Sequence, residues 1–370
     1  MAPQQAGAVY LAACQCTTPL GSARESWRAL CDGTIALKPV PVEGIDGDPV
    51  LPLSLLSPLD AALPPRWLEP CRQLVADMPE RPWGEPKYPV LISSSNFGIE
   101  QLLAFYRGGP AGLQAYSTPG TAVAAIAKAC GFGPDCTVIS NACVSAQLAL
   151  HEGGVLLGTG LAEEVLILSF DFVSPFVAGG FAALKILNGD FPRPYTDEET
   201  GAIGLGDGLG CAVLSRERSD FRIAGSAAHQ ESYHMTANAP DGSGFLAVSE
   251  RLKPFCRGQR IWIKGHGTGT LDAGKLEAQT LASAFPGSPL VSWKGSLGHT
   301  LGSCGLIEMA IAIEAICQGR SPGTPGSPSP FFADNVASRD FALDEFDGVA
   351  LFSSAFGGAH MVTLIENDGA

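Results

Sequence analysis

The chain has 370 residues, of which 46% are hydrophobic and 16% are charged, and this is ample for a large buried core. Its formal net charge of −14 argues against a nucleic-acid-binding protein, because phosphate binding requires a basic surface. No apolar run is long and charge-free enough to span a bilayer, and the starting segment MAPQQAG lacks the basic residues of a secretory signal. We therefore predict a soluble cytoplasmic protein without membrane insertion.

The eleven cysteines do not form a pattern typical of disulfides or of zinc. Their number is odd, the chain is long, and no CxxC pair is present. We predict reduced thiols, most of them small core residues, and no metal site.

Strand-like apolar runs alternate with helical stretches along the chain, which is typical of an α/β fold. The predicted strands are 9–14, 89–93, 137–140, 165–170 and 211–215 in the first part, and 222–228, 261–264, 290–293, 349–353 and 361–366 in the second. Five strands in each part predict a duplicated architecture, with halves 1–220 and 221–370 in one compact unit. The Pro- and acid-rich segment 37–89 and the Pro/Ser/Gly segment 321–330 are interpreted as solvated loops.

The first motif with chemical potential is TVISNACVSAQLALHEGG, residues 137–154. A β-branched strand runs into a tight turn, and a helix is predicted directly after Cys143. A thiol at a helix N-terminus is expected to have a lowered pKa and to react quickly as thiolate, and the free amides there can bind an oxyanion. At this point a buried core cysteine is an equal alternative.

The second motif is IWIKGHGTGT, residues 261–270, in which a strand delivers His266 into a Gly/Thr turn. A phosphate-binding loop is an alternative, but the P-loop lysine spacing is absent. A lone histidine at a strand end is more often structural.

The third motif is VSWKGSLGH, residues 291–299, followed by the apolar segment TLGSCGLIEMAIAIEAI. Lys294 and His299 lie in the loop after a predicted strand, and the helix that follows is apolar all round and therefore expected to be buried. Its Glu308 requires a partner, for which Lys294 is the natural candidate, although a purely structural ion pair has the same pattern. Together the motifs place a thiol, two imidazoles and a lysine at strand ends, where α/β folds bind ligands.

In this order, NACVSA, HGTGT and KGSLGH resemble the motifs of the β-ketoacyl-acyl-carrier-protein synthases, the Cys-His-His condensing enzymes of the thiolase superfamily. The segments TPLG at 18–21, YHMT at 233–236 and FGG at 356–358 also match, so the resemblance covers nearly the whole chain. It implies a thiolase-like fold of two duplicated βαβαβ-type halves in α-β-α-β-α layers. It further implies a decarboxylative condensation of an acyl thioester with a malonyl-acyl-carrier protein, in fatty-acid, polyene or polyketide-type biosynthesis.

The resemblance also implies roles for individual residues. Cys143 would be the nucleophile that carries the acyl group. His266 and His299 would stabilise the enolate that forms when malonyl loses carbon dioxide. Lys294, held by Glu308, would tune the charge around His299.

The remaining implied roles concern substrate binding. The backbone amides of Cys143 and Phe356 would form the oxyanion hole, and Phe356 would gate the pocket. Thr268 and Thr270 would contact the phosphopantetheine arm, and Glu277 would support the site. The resemblance implies no resident cofactor, an acyl carrier protein as partner, and a homodimer or a heterodimer with a related ketosynthase or chain-length factor.

Two regions are expected to contribute to partner and substrate recognition. An acidic carrier needs a local basic patch on this acidic protein, for which the candidates are Lys128, Lys185 and Arg193. The acyl-chain pocket is expected around residues 113–123.

Several positions depart from the family pattern and indicate a specialised pathway. Gly274 stands where an acidic residue is usual, Ala359–His360 replaces Thr-Asn, and Thr196 and Thr200 replace acids. Three alternatives stay open. The first is a different condensing or thiolytic enzyme of the same fold that acts on coenzyme A thioesters, although such enzymes usually pair Cys-His with Asn or a second Cys. The second is a non-catalytic chain-length factor, although such subunits usually lack the nucleophile that Cys143 provides. The third is a binding protein with a relic site.

Overall fold

The computed structural model describes residues 8–59, 63–196 and 201–369. Its ten principal strands are β1 Val9–Thr18, β2 Val90–Ser93, β3 Cys136–Ile139, β4 Glu164–Asp171, β5 Gly208–Ser215, β6 Phe221–Gln230, β7 Ile261–Lys264, β8 Leu290–Val291, β9 Gly348–Ala355 and β10 Ala359–Asn367. These are the ten strands predicted from the sequence, with ends that differ by a few residues. Thr200, one of the departures noted above, lies outside the described residues.

The strand order confirms the predicted duplication. The strands form one continuous sheet in the order β8-β7-β9-β10-β6-β1-β5-β4-β2-β3. From its outer edge inward, the first half has the order β3-β2-β4-β5-β1 and the second half the order β8-β7-β9-β10-β6. When the strands of each half are numbered along the chain, both orders are 3-2-4-5-1. In both halves the outer three strands are parallel and the inner two pairs antiparallel, and β6 meets β1 antiparallel at the junction. The halves therefore share one topology.

The helices are α1 Ala23–Cys31, α2 Leu68–Ala76, α3 Ile99–Tyr106, α4 Pro119–Cys130, α5 Ser145–Gly158, α6 Pro175–Ala183, α7 Ser243–Leu252, α8 Leu271–Ala284, α9 Lys294–Leu297 and α10 Cys304–Cys317. Short 3₁₀ helices cover Ala111–Tyr116, Lys253–Cys256 and Leu301–Ser303. None of the helices in the described ranges is long and apolar enough to cross a membrane.

Five layers result from the way these helices pack on the sheet. Helices α5 and α10 contact each other and strands of both halves, so they lie between the halves. Helices α2 and α4 cover the outer face of the first half, and α7 and α8 cover that of the second. The all-round apolar surface of α10 is explained by this central position, since neighbouring elements bury it on every side.

Two segments that we interpreted as solvated loops are instead partly built into the core. Within 37–89, strands Lys38–Pro41 and Val50–Ser54 pair with each other, and Leu53 and Trp67 are buried. In the segment 321–330, residues 321–325 are buried, and Thr324 Oγ1 accepts a hydrogen bond from the Ser292 amide at 3.3 Å. The prediction was wrong because Pro and acidic composition marks irregular backbone, which is not the same as exposure to solvent.

All eleven cysteines are free thiols. Among the described residues, no group of three or more His, Cys, Asp or Glu side chains is arranged to hold a metal ion.

Candidate active site

Cys143 lies in a strained turn between the edge strand β3 and helix α5. The preceding Ala142 has φ +43°, which is unusual for a residue with a side chain. The Ser145 hydroxyl donates to the Ala142 carbonyl at 2.6 Å and accepts from the Asn141 amide at 2.8 Å. These two bonds hold the turn, so that the thiol faces the second half of the protein.

Asp171, at the end of β4, holds Gly302, which lies against this turn, and was not identified from the sequence. Its buried carboxylate accepts hydrogen bonds from the Gly302 amide at 2.7 Å and from the Ser95 amide at 3.0 Å. A side chain on Gly302 would come within 2.9 Å of the Ala142 carbonyl and 2.8 Å of Asp171 Oδ2, so glycine is required there. The contact ties the Cys143 turn to the loop that carries His299.

The two motif histidines converge on the thiol. His299 Nε2 lies 3.1 Å from Cys143 Sγ, although the two residues are 156 positions apart. The His266 ring lies edge-on to the His299 ring, with 5.1 Å between centroids and 88° between planes. A nucleophile and two imidazoles thus face one space at the carboxyl ends of β3, β7 and β8.

Burial decides the protonation of all three groups. It raises the pKa of the Cys143 thiol well above its ordinary value, and the nearby Lys294 ammonium only partly opposes this. The expected lowered pKa at a helix start is therefore wrong, because the loss of hydration outweighs the helix dipole. Burial, with Lys294 adding to it, also lowers the pKa of His266 and of His299 well below the usual range. Both imidazoles are neutral at neutral pH, and His299 can accept the thiol proton.

Lys294 and Glu308 form an ion pair beneath the histidines, with 2.6 Å between Nζ and Oε1. A second lysine, Lys264 at the end of β7, lies 2.7 Å from the same Glu308 oxygen. All three side chains are almost completely buried. The sequence analysis missed Lys264, although a lysine that ends an otherwise apolar buried strand was a usable signal.

Glu277, on α8, supports the loop that carries His266. Its carboxylate accepts hydrogen bonds from the His266 amide, from the Gly267 amide at 2.8 Å and from the Tyr195 hydroxyl at 3.1 Å. Burial raises the pKa of Glu277. Tyr195 belongs to the segment RPYTDEETG, where the sequence analysis noted only the departures from the family acids. Gly274, another of the departures, lies about one turn before Glu277 on α8.

A cavity of about 840 Å³ opens above the thiol and both histidines. Its polar lining includes Thr268 and Thr270, whose hydroxyls are 3.2 Å apart. Its apolar lining includes Phe181, which packs against Phe356 with 5.6 Å between ring centroids. None of residues 113–123 lines this cavity, and its apolar lining comes from α6, the segment after it, α8 and the turn that carries Phe356.

The turn that carries Phe356 is joined to the loop 231–240, which also lines the cavity. The Gly357 amide donates to the Met235 carbonyl at 2.7 Å, and the Glu231 amide donates to the Gly358 carbonyl at 2.9 Å. His360, where the family has asparagine, lies buried with its Nε2 3.3 Å from Glu231 Oε1. The departure thus replaces an amide with a titratable ring at the base of this loop.

Comparison with known proteins agrees with the fold. Residues 221–327 match the β-ketoacyl synthase C-terminal domain family. A 3-oxoacyl-acyl-carrier-protein synthase 2 of Coxiella burnetii is 26% identical over 94% of this chain and 96% of that protein. The tetracenomycin polyketide synthase ketoacyl synthase alpha subunit of Streptomyces glaucescens is 29% identical over 68% of this chain and 64% of that protein.

Solved structures show the same architecture. A β-ketoacyl synthase from Burkholderia phymatum has a TM-score of 0.83 at 19% identity, over 98% of this chain and 99% of that chain. A ketosynthase in complex with its chain length factor from Xenorhabdus doucetiae has a TM-score of 0.81 at 19% identity, over 99% and 100% of the two chains. The fold is therefore thiolase-like. The family match, the sequence relatives and the solved structures together support a similarity to the β-ketoacyl-acyl-carrier-protein synthases.

Proposed function

We propose that the protein is an acyltransferase that condenses an acyl group, carried as a thioester on Cys143, with malonyl-acyl-carrier protein, with loss of carbon dioxide. The observation that carries this proposal is the 3.1 Å contact between Cys143 Sγ and His299 Nε2, beside His266, in one cavity. A condensing enzyme needs a nucleophilic thiol, neutral donors for a developing enolate and a space shielded from water. Fatty-acid and polyketide-type synthesis are the pathways that relatives support.

The first step would transfer the acyl group to the enzyme. The Cys143 sulfur attacks the carbonyl carbon of the acyl thioester while its proton moves to His299 Nε2. The carbon–sulfur bond to the carrier breaks, and the carrier thiol leaves with that proton. A neutral thiol beside a neutral imidazole suits this sequence, because the charge develops only during attack.

The second step would release carbon dioxide from the malonyl group and form the new bond. The carboxylate carbon leaves as carbon dioxide, and its bonding electrons pass into an enolate whose oxygen accepts hydrogen bonds from His266 and His299. The enolate carbon then attacks the acyl-Cys143 carbonyl, and the amides of Cys143 and Phe356 bind the tetrahedral oxyanion before the thiolate departs. Lys294 adds positive charge behind the imidazoles, which favours each anion.

The substrates would arrive on the phosphopantetheine arm of an acyl carrier protein, so the enzyme itself needs no resident cofactor. Thr268 and Thr270, which line the cavity, supply hydroxyl groups suited to the amides of such an arm. The apolar lining residues Phe181 and Phe356 suit an alkyl or alkenyl acyl chain. Phe356 would also gate entry to the cavity.

The proposed partners are an acyl carrier protein and a second ketosynthase-like chain. One of the solved structures similar to this chain, at a TM-score of 0.83 and 18% identity, contains a type II polyketide synthase acyl-carrier protein with its ketosynthase. The edge strand β3 leaves its outer side unpaired in the sheet, and Val138 on it is 38% exposed. An exposed edge strand next to the nucleophile supports dimerisation with a second copy or a chain-length factor. Free thiols throughout support a cytoplasmic location.

The test separates the two half-reactions with labelled malonyl-carrier protein and a panel of acyl-carrier thioesters. Cys143→Ala should give no acyl-enzyme in intact mass spectra but should still release carbon dioxide. His299→Ala should acylate slowly and release carbon dioxide on the order of a hundred- to a thousand-fold more slowly than wild type, since one oxyanion donor is lost.

Two outcomes would contradict the proposal. If His299→Ala decarboxylates like wild type, the assignment of that histidine is wrong. If wild type neither acylates nor decarboxylates with any carrier substrate, alone or with a related partner chain, the protein is a non-catalytic chain-length-factor-like subunit.

A further inference from the structure

Two buried lysines meet one carboxylate oxygen behind the proposed condensation site. Nζ of Lys294 lies 2.6 Å and Nζ of Lys264 lies 2.7 Å from Glu308 Oε1. Lys264 also donates to the Gly265 carbonyl at 2.6 Å, which is the peptide directly before His266. Its side chain is fully buried, so water does not screen its charge.

The surroundings of Lys264 hold few compensating charges. Its ammonium lies 5.8 Å from the centroid of the Trp293 ring. Glu277 is the other buried carboxylate in its field, but backbone amides and the Tyr195 hydroxyl bind that group. The remaining titratable neighbours around this cluster are Cys304 on α10 and the two histidines.

One ammonium per carboxylate suffices for a structural ion pair, and Lys294 already supplies it. A second buried ammonium on the same oxygen is repelled by the first and loses its hydration. Burial lowers the pKa of Lys264 to about 8. The repulsion by Lys294 acts in the same direction, whereas the attraction by Glu308 opposes it. A residue that weakens the fold at this place requires a reason other than stability.

We propose that Lys264 is a positioning residue of the site, whose ammonium adds a second positive charge behind the two histidines and favours the anionic form of Cys143 during attack. Its charge acts on the two histidines that face the thiol, and reaches the thiolate through space. Its benefit to the condensation rests on the function proposed above.

The test compares wild type with Lys264→Met, which keeps the length but removes the charge, and with Lys264→Arg, which keeps the charge. Arg222→Met is the matched control, because Arg222, at the start of the central strand β6, forms an ion pair with Glu366 near the end of β10. The rate of alkylation of Cys143 by iodoacetamide, followed by peptide mass between pH 7 and 10, reports the thiolate without any substrate. Melting temperature is measured for each variant at pH 7.

At pH 7, Lys264→Met should react several-fold more slowly than wild type, because its thiolate forms without the second buried cation behind the histidines. The difference should shrink between pH 8 and 10, because wild-type Lys264 loses its proton there. Lys264→Arg should keep the fast rate across this range, since guanidinium stays charged. The melting temperature of Lys264→Met should equal or exceed that of wild type, whereas loss of a structural residue would lower it.

The proposal is overturned if Lys264→Met and wild type alkylate equally at pH 7, if their ratio is the same at pH 7 and 10, or if Arg222→Met slows alkylation as much. If Lys264→Met does not fold, Lys264→Gln takes its place in the same comparison. A wild type that fails to decarboxylate malonyl carriers but shows the expected alkylation pattern would refute the proposed function and leave the role of Lys264 intact.

Discussion

Replacement of Asp171 tests whether one buried carboxylate holds residues 94–96 against Gly302, which lies between the nucleophile turn and the loop that carries His299. Its Oδ2 accepts from the Gly302 amide at 2.7 Å and from the amide and hydroxyl of Ser95 at 3.0 Å each. Its Oδ1 accepts from the Ser94 hydroxyl at 2.6 Å and from the amide and side chain of Asn96 at 3.1 Å each. Six donors therefore point at one group that has no proton to give.

The expected loss of stability follows from the hydrogen bonds that an asparagine at position 171 can still accept. In Asp171→Asn, the amide oxygen can still face Gly302 and Ser95, while its NH₂ group faces donors on the other side. The Asn96 amide still has the Ser94 hydroxyl oxygen as an acceptor at 3.1 Å. Asp171→Asn therefore loses mainly one to two hydrogen bonds and the negative charge that strengthens the others, and we expect the free energy of unfolding to fall by about 2–3 kcal/mol. Asp171→Ala leaves the Ser95 and Gly302 amides without an acceptor and removes the partners of the Ser94 and Ser95 hydroxyls, for about 4 kcal/mol or more.

Urea unfolding followed by tryptophan fluorescence gives both free energies, and acylation of Cys143 gives the functional effect. We expect Asp171→Asn to slow acylation about a hundred-fold, because a displacement of the turn breaks the 3.1 Å contact between Cys143 and His299. Glu163→Gln, at an exposed carboxylate bound by the Tyr88 hydroxyl, is the control and should change stability by less than about 0.5 kcal/mol. If Asp171→Asn is as stable and as active as wild type, the reasoning about this turn is wrong.

Two further predictions concern pH and carrier docking. Because the pKa values of His266 and His299 are lowered well below 6.5, the unfolded chain binds more protons as the pH falls. Between pH 7 and 5.5, these two groups should lower the free energy of unfolding of wild type by about 2–3 kcal/mol. The double variant His266→Asn/His299→Asn lacks this contribution, so its stability should fall by about 2–3 kcal/mol less, as measured by urea midpoints. An equal loss in both proteins would contradict the assignment. The candidates for carrier docking are Lys128, Lys185 and Arg193. Reversal of the charge at any one of them should raise KM for carrier-bound substrate without changing kcat. An unchanged KM in all three variants would place the docking surface elsewhere.

The sequence by itself determined the elements and the order in which they occur. Alternating apolar runs predicted ten strands, and their equal distribution predicted two halves of one topology, which the strand order confirms. The segment after His299 predicted a helix without a polar face, and α10 is buried between the halves for that reason. These features are local, since periodicity and burial on all sides are written into consecutive residues.

Only the tertiary structure decided which of these residues act together and in what charge state. Cys143 and His299 meet across the two halves, and no local pattern specifies that contact. The helix start predicted a reactive thiolate, but burial by elements distant in sequence raises the pKa of Cys143. In the sequence, Lys264 and Asp171 are each only the last residue of a strand. Their importance arises from their contacts with Glu308 and Gly302 respectively, which lie far along the chain. Desolvation and charge act through space, so the fold had to bring the partners together before either could be assigned.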